Sequence, residues 1–153
     1  MHLSRSNDIF LAALISLLVI FITITKGDAL YLGIWYYITV PVIILSLCAV
    51  IRPAPLFLTG ASLGIAITLL CVMSVNWNSS HPEGLLGLGH VSSLPGAIVG
   101  VLLAAVTAKR KFIKLPYTSF SMGLCGLLIG YFINQTVVCN TVMWCGPLSM
   151  PIK

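Results

Sequence analysis

The chain has 153 residues, 59% of them hydrophobic and 7% charged, with a formal net charge of +5. That balance excludes a soluble domain, in which roughly a quarter of residues are charged. The eight basic side chains punctuate long apolar runs and form no basic face, so nucleic acid is excluded as a partner and anionic lipid headgroups are the expected neighbours.

The first residues, "MHLSRSND", have the basic character that precedes a secretory signal. The apolar run that follows ends in "FITITKGDAL", with no small-x-small cleavage site, so an uncleaved first span is expected over 9–25. After "KGDALY" comes a second apolar segment, 32–51, with Pro41 at its middle, where a kink is expected. "RPAP" separates it from a third, 56–75. The long polar and glycine-rich stretch "NWNSSHPEGLLGLGH" leads to a fourth, 92–108, in which Pro95 suits a first helical turn. "KRKFIKLPYT" then precedes the fifth, 119–138. Each segment has about 17 to 21 residues, near the length that crosses a hydrocarbon core at 1.5 Å per residue. The reading is an all-α integral membrane protein, a single five-span transmembrane helical bundle over 1–153 with no detached soluble domain.

Orientation follows from the basic residues. With the N-terminus cytoplasmic, Arg5, Arg52, Lys109, Arg110, Lys111 and Lys114 all lie inside, leaving Lys26 and Lys153 outside. The inverse arrangement breaks the positive-inside rule. Five spans then send the C-terminus to the periplasmic, extracytoplasmic side of an inner (plasma) membrane. Asp28 and Glu83 fall outside, and Trp35, Tyr36, Trp77 and Trp144 fall near outer span ends, where aromatic rings partition.

Three spans carry glycines four residues apart: Gly60 and Gly64, Gly96 and Gly100, Gly126 and Gly130. Such stripes let helix backbones approach closely where lipid offers no hydrophobic driving force. They predict a tight core of spans three to five, with spans one and two packed outside it. Homodimerisation is the other use of the same stripes.

No Asp, Glu, Lys, Arg or His is expected inside any span, which argues against an ion-coupled transporter, a proton pump, an intramembrane hydrolase or a haem carrier. No cofactor is expected. Cys48, Cys71 and Cys125 read as small apolar packing residues. Cys139 and Cys145 flank "NTVMW" on the expected outer side, and are candidates for a disulfide.

The stretch "HPEGLLGLGH" holds ligand types for zinc in His81, Glu83 and His90. In a helix, Glu83 and His90 would stand about 10 Å apart along the axis, too far for one ion. The three glycines would leave a folded-back loop loose. No metal site is therefore assigned, and the stretch reads as an outer loop that touches the interface or a partner. His81, Glu83, Leu85, Leu86, Leu88, His90 and Trp144 are the candidate partner-binding residues.

The function expected from these features is non-enzymatic. The chain acts through protein–protein interaction at its outer face, with a membrane or periplasmic protein as partner, as an accessory subunit of a membrane complex or an immunity-type protein. The alternative is a carrier of a neutral solute, using Asn134, Gln135 and the Thr and Ser hydroxyls, or a metal-dependent membrane enzyme built on the 81–90 loop.

Overall fold

The computed structural model describes residues 5–79, 84–111 and 116–142. Five helices account for nearly all of them: α1 (Arg5–Lys26), α2 (Ile34–Ile51), α3 (Phe57–Trp77), α4 (Leu85–Lys111) and α5 (Pro116–Thr141). All five are long and apolar enough to cross a membrane. Their lengths run from about 27 Å for α2 to about 40 Å for α4 at 1.5 Å per residue.

Four of the helices extend beyond the expected apolar runs, α2 starting two residues late, and the largest extension is a correction. The fourth span starts at Leu85 and not at residue 92, so Leu85 to His90 form the opening turns of α4 and are not a loop. Two observations account for it. The buried positions His90, Ser93, Ala97, Val101, Ala105 and Ala108 recur every three or four residues, so His90 continues the face that packs inward. Gly87 is required one turn earlier, because a Cβ there would lie 2.5 Å from the Leu30 carbonyl oxygen, where the α1–α2 turn crosses α4. Pro95 accordingly lies inside α4 and not at its start.

The helices meet through glycine. On the α4–α5 crossing, a Cβ on Gly100 would lie 2.9 Å from the Gly130 Cα, and Gly96 sits against Gly130 and Asn134. Gly126 faces Ala104 and Gly100 from the other side. On the α3–α5 crossing, Gly60 abuts the Phe120 carbonyl, and Gly64 meets the Leu127 side chain 3.1 Å from where its Cβ would stand. Gly123, outside the four-residue pairs, completes that crossing against Phe57 and Ala61. All six glycines of the stripes thus lie against neighbours within the chain. α5 is the common partner, carrying one glycine face toward α4 and another toward α3.

α3 is the most enclosed helix, with more than half its span buried. α1 docks directly on it, and α2 completes the bundle with lighter contacts to α1, α3 and α4. The α1–α3 contact rests on an ionisable residue that the apolar pattern leaves outside the first span. Asp8 is buried on the first turn of α1. Its carboxylate accepts hydrogen bonds from the Leu58 amide (3.2 Å), the Thr59 amide (2.8 Å) and the Thr59 hydroxyl (2.6 Å). Helix α3 has no side-chain cap of its own at Leu56. Asp8 supplies that cap from another helix, placing a carboxylate where the amides and the helix dipole favour an anion. Higher on the same seam, the Ser62 hydroxyl donates to the Ala12 carbonyl at 2.8 Å.

Candidate functional site

The bundle has two unlike ends. One carries Arg5, Arg52, Lys109 and Arg110, and the other is built around the turn that joins α1 to α2. The turn end gathers polar side chains from α2, α3, α4 and α5 around one braced turn, and the candidate site is there.

The turn is organised by Asp28. Its carboxylate accepts the Leu30 amide at 3.0 Å, the Gly33 amide at 2.6 Å and the Tyr37 hydroxyl at 2.5 Å. Partial burial works to raise its pKa. The hydrogen bonds from Tyr37, Gly33, Leu30 and Tyr31 outweigh that and hold the carboxyl below its ordinary value of 3.8. The brace supports backbone that is costly on its own. Tyr31 has φ 57°, a left-handed conformation that costs a non-glycine residue about 1 kcal/mol or more. Gly27 (φ 91°) and Gly33 (φ 77°) bracket the turn.

α3 latches the turn from the side. The Asn76 amide donates to the Ala29 carbonyl at 2.7 Å, and the Trp77 indole N–H reaches the Gly27 carbonyl at 3.3 Å. Lys26 lies over the Trp77 ring, 5.5 Å from its centroid. A cleft of about 210 Å³ opens here, bordered by Lys26, Asp28, Tyr31, Asn76 and Trp77. The braced turn projects Tyr31, 65% exposed, and the start of α2 projects Trp35, 75% exposed.

Beneath the turn a polar layer crosses α2, α4 and α5. The Tyr36 hydroxyl and His90 Nδ1 share a hydrogen bond of 2.5 Å, the donor being set by the histidine tautomer. The His90 and Tyr131 rings stand 5.2 Å apart. Ser93 and Gln135 are hydrogen-bonded to each other, and the Asn134 amide donates to the Ser92 carbonyl at 2.7 Å. His90 Nε2 and the Tyr131 hydroxyl are buried without a hydrogen-bond partner, at a cost of about 1–3 kcal/mol each. The layer therefore fixes the helix ends at some expense.

His90 is 1% exposed and offers a partner no surface, which corrects its assignment to an outer loop. His90 and Asp8 both lie on helices of spanning length, just beyond the ends of the apolar runs 92–108 and 9–25, which themselves hold no ionisable side chain. Leu88 is exposed and Leu86 half-buried on the first turns of α4; Leu85 is helical. His81, Glu83, Cys145 and Trp144 lie outside the described residues. Among the described residues no three His, Cys, Asp or Glu side chains come together as a metal site. Cys139 is disulfide-bonded, while Cys48, Cys71 and Cys125 are free thiols. The proposed pairing of Cys139 with Cys145 falls outside the described residues.

Sequence reasoning missed the Asp28 brace, the Asp8 cap and the tyrosine–histidine layer. Asp28 did carry a signal: an acid followed by a glycine five residues on, between two apolar runs, is turn chemistry. Comparison with protein-family models, curated proteins and solved structures gives no match. The class that the fold defines is a multi-pass helical membrane bundle with five candidate spans.

Proposed function

We propose that the chain is a non-catalytic, multi-pass protein of the inner membrane that binds another membrane or periplasmic protein through its turn end. In this reading the N-terminus is cytoplasmic and the C-terminus extracytoplasmic. The observation that carries it is the Asp28-braced turn, from whose ordered backbone and the start of α2 the exposed Tyr31 and Trp35 project. A backbone ordered before binding has less entropy to lose on contact, and Tyr and Trp are enriched in interface hot spots. The cleft beside Tyr31 offers a partner side chain a seat bordered by Lys26 and Asp28. The same reading assigns His81, Glu83, Leu88 and Trp144 to this face. Orientation is supported by Arg5, Arg52, Lys109 and Arg110 sharing the opposite end. A disulfide at Cys139, near the end of α5, fits an oxidising compartment on the turn side. The role is that of an accessory subunit of a membrane complex or an immunity-type protein.

The test is affinity purification from membranes of the wild-type chain and of a Tyr31→Ala, Trp35→Ala double variant. A stoichiometric partner is expected with the wild type. The double variant should bind it about thirtyfold more weakly or worse, the effect of losing hot-spot contacts of roughly 2 kcal/mol. Helix content should not change, because exposed side chains contribute little to stability. Retention of the same partner at the same stoichiometry by the double variant would contradict the reading.

A further inference from the structure

A second feature runs along the seam between α1 and α2, from Ala49 near the basic end to Tyr37 beneath the turn. The two helices carry small residues where they face each other, among them Ala12, Ala13, Ser16, Ser46 and Ala49, and the missing side-chain volume leaves a groove of about 430 Å³. Ala13, Leu17, Val42 and Ser46 line it and are exposed, so it opens sideways, toward the hydrocarbon that surrounds a spanning bundle. Of the hydroxyls on its wall, those of Ser16 and Tyr37 are engaged within the chain, and Ser46 lies at the exposed rim. Ser16 bonds the Ala12 carbonyl at 3.0 Å and Ser62 at 3.1 Å, and Tyr37 bonds Asp28. What the groove presents is apolar.

The basic end of the groove is defined by Ala49. Its carbonyl accepts the Arg5 guanidinium at 2.7 Å and the Arg52 amide at 3.2 Å. The exposed Arg5 guanidinium is thereby held at the mouth of the apolar slot, and exposed Arg52 is tied by its backbone to the same carbonyl. Arg52 is held in a left-handed C-cap conformation (φ 58°), and Pro53 follows it, which fixes where the chain leaves the helix. Guanidinium groups bind phosphate through several N–H donors at once, and Arg5 spends one nitrogen on Ala49 and keeps others. Charge and polarity thus change along the groove as they do along a phospholipid: cationic where a headgroup sits, apolar where a chain runs.

We propose that the α1–α2 groove binds one anionic phospholipid, an acyl chain lying between the helices and the phosphate held by Arg5 and Arg52. The site does not depend on which way round the bundle sits. Native mass spectrometry of the full chain tests it, with phosphatidylglycerol and phosphatidylcholine of identical acyl chains as probes and glycerophosphate as the headgroup lacking them. One phosphatidylglycerol per chain is expected, in preference to phosphatidylcholine and not displaced by glycerophosphate. The preference should fall about tenfold or more in Arg5→Gln, Arg52→Gln, the scale of a lost charge-assisted hydrogen bond. Ala13→Trp, which fills the groove from its open side, should reduce binding of both lipids. Should the double variant fail to accumulate, Arg52→Gln alone carries the test, because its cap contact uses the backbone. Equal binding of the two lipids, a preference that survives loss of the arginines, or displacement by glycerophosphate would overturn the proposal. So would a disulfide-linked dimer through Ser46→Cys with no lipid bound, which would make the occupant a second copy of the chain.

Discussion

Replacing Gly100 with leucine is expected to destabilise the bundle by about 3 kcal/mol or more, the upper end of the cost of overpacking. The magnitude follows from what the new side chain would meet. A Cβ at this position points at the Gly126 carbonyl and stands 2.9 Å from the Gly130 Cα. Both are backbone atoms of α5, so no rotamer change can make room. The helices must separate, and with them the contacts of the α4–α5 crossing are lost. Alanine should already be harmful for the same reason. Gly84→Ala is the matched control, since a Cβ there meets nothing within 4 Å. Thermal or denaturant unfolding in detergent micelles reads the difference. Equal stability of Gly100→Leu and Gly84→Ala would mean that α4 and α5 do not cross at these glycines.

The second large effect is expected at Asp8. Asp8→Ala removes the acceptor for two amides of the first turn of α3 and for the Thr59 hydroxyl. Each buried donor left unsatisfied costs about 1–3 kcal/mol, so a loss of about 3 kcal/mol or more is expected. Asp8→Asn separates the components. Its carbonyl oxygen can still take the Thr59 donors, while its NH₂ group would confront the Leu58 amide. It should therefore recover part of the loss and no more. The comparison is made by unfolding in the same detergent, with accumulation in membranes as a second readout. An alanine variant as stable as wild type would show that the α3 cap does not depend on α1.

The two sites explain what the sequence reveals and what it hides. Five apolar runs of spanning length, separated by charged and proline-rich breaks, are a property of composition along the chain, and the number and order of helices follow from it. The glycine pairs are equally visible, because four-residue spacing is a property of the helix itself. Their partners are not, since nothing local says that α5 meets α3 with Gly123 and α4 with Gly126 and Gly130. The glycines and Pro95 point to a later start for α4 than the structure has. His90 and Ser93 continue its buried face, but both are polar, so the apolar period does not reveal them. Asp8 and Asp28 show the deeper difficulty. Each is one acid near the end of an apolar run, and what it does depends on donors about fifty residues away in one case and on a single turn in the other.

The partner face depends most directly on where the turn end lies. A cysteine substituted for Tyr31, 65% exposed at the tip of the braced turn, reports this with a membrane-impermeant maleimide, against the wild-type chain as background. A cysteine at Lys109, exposed at the basic end of α4, is the counterpart. Labelling of the Tyr31→Cys protein in intact spheroplasts, with Lys109→Cys reacting only after the membrane is opened, is the predicted result. Labelling of Lys109→Cys from outside, with Tyr31→Cys protected until lysis, would turn the molecule over and contradict an extracytoplasmic docking face.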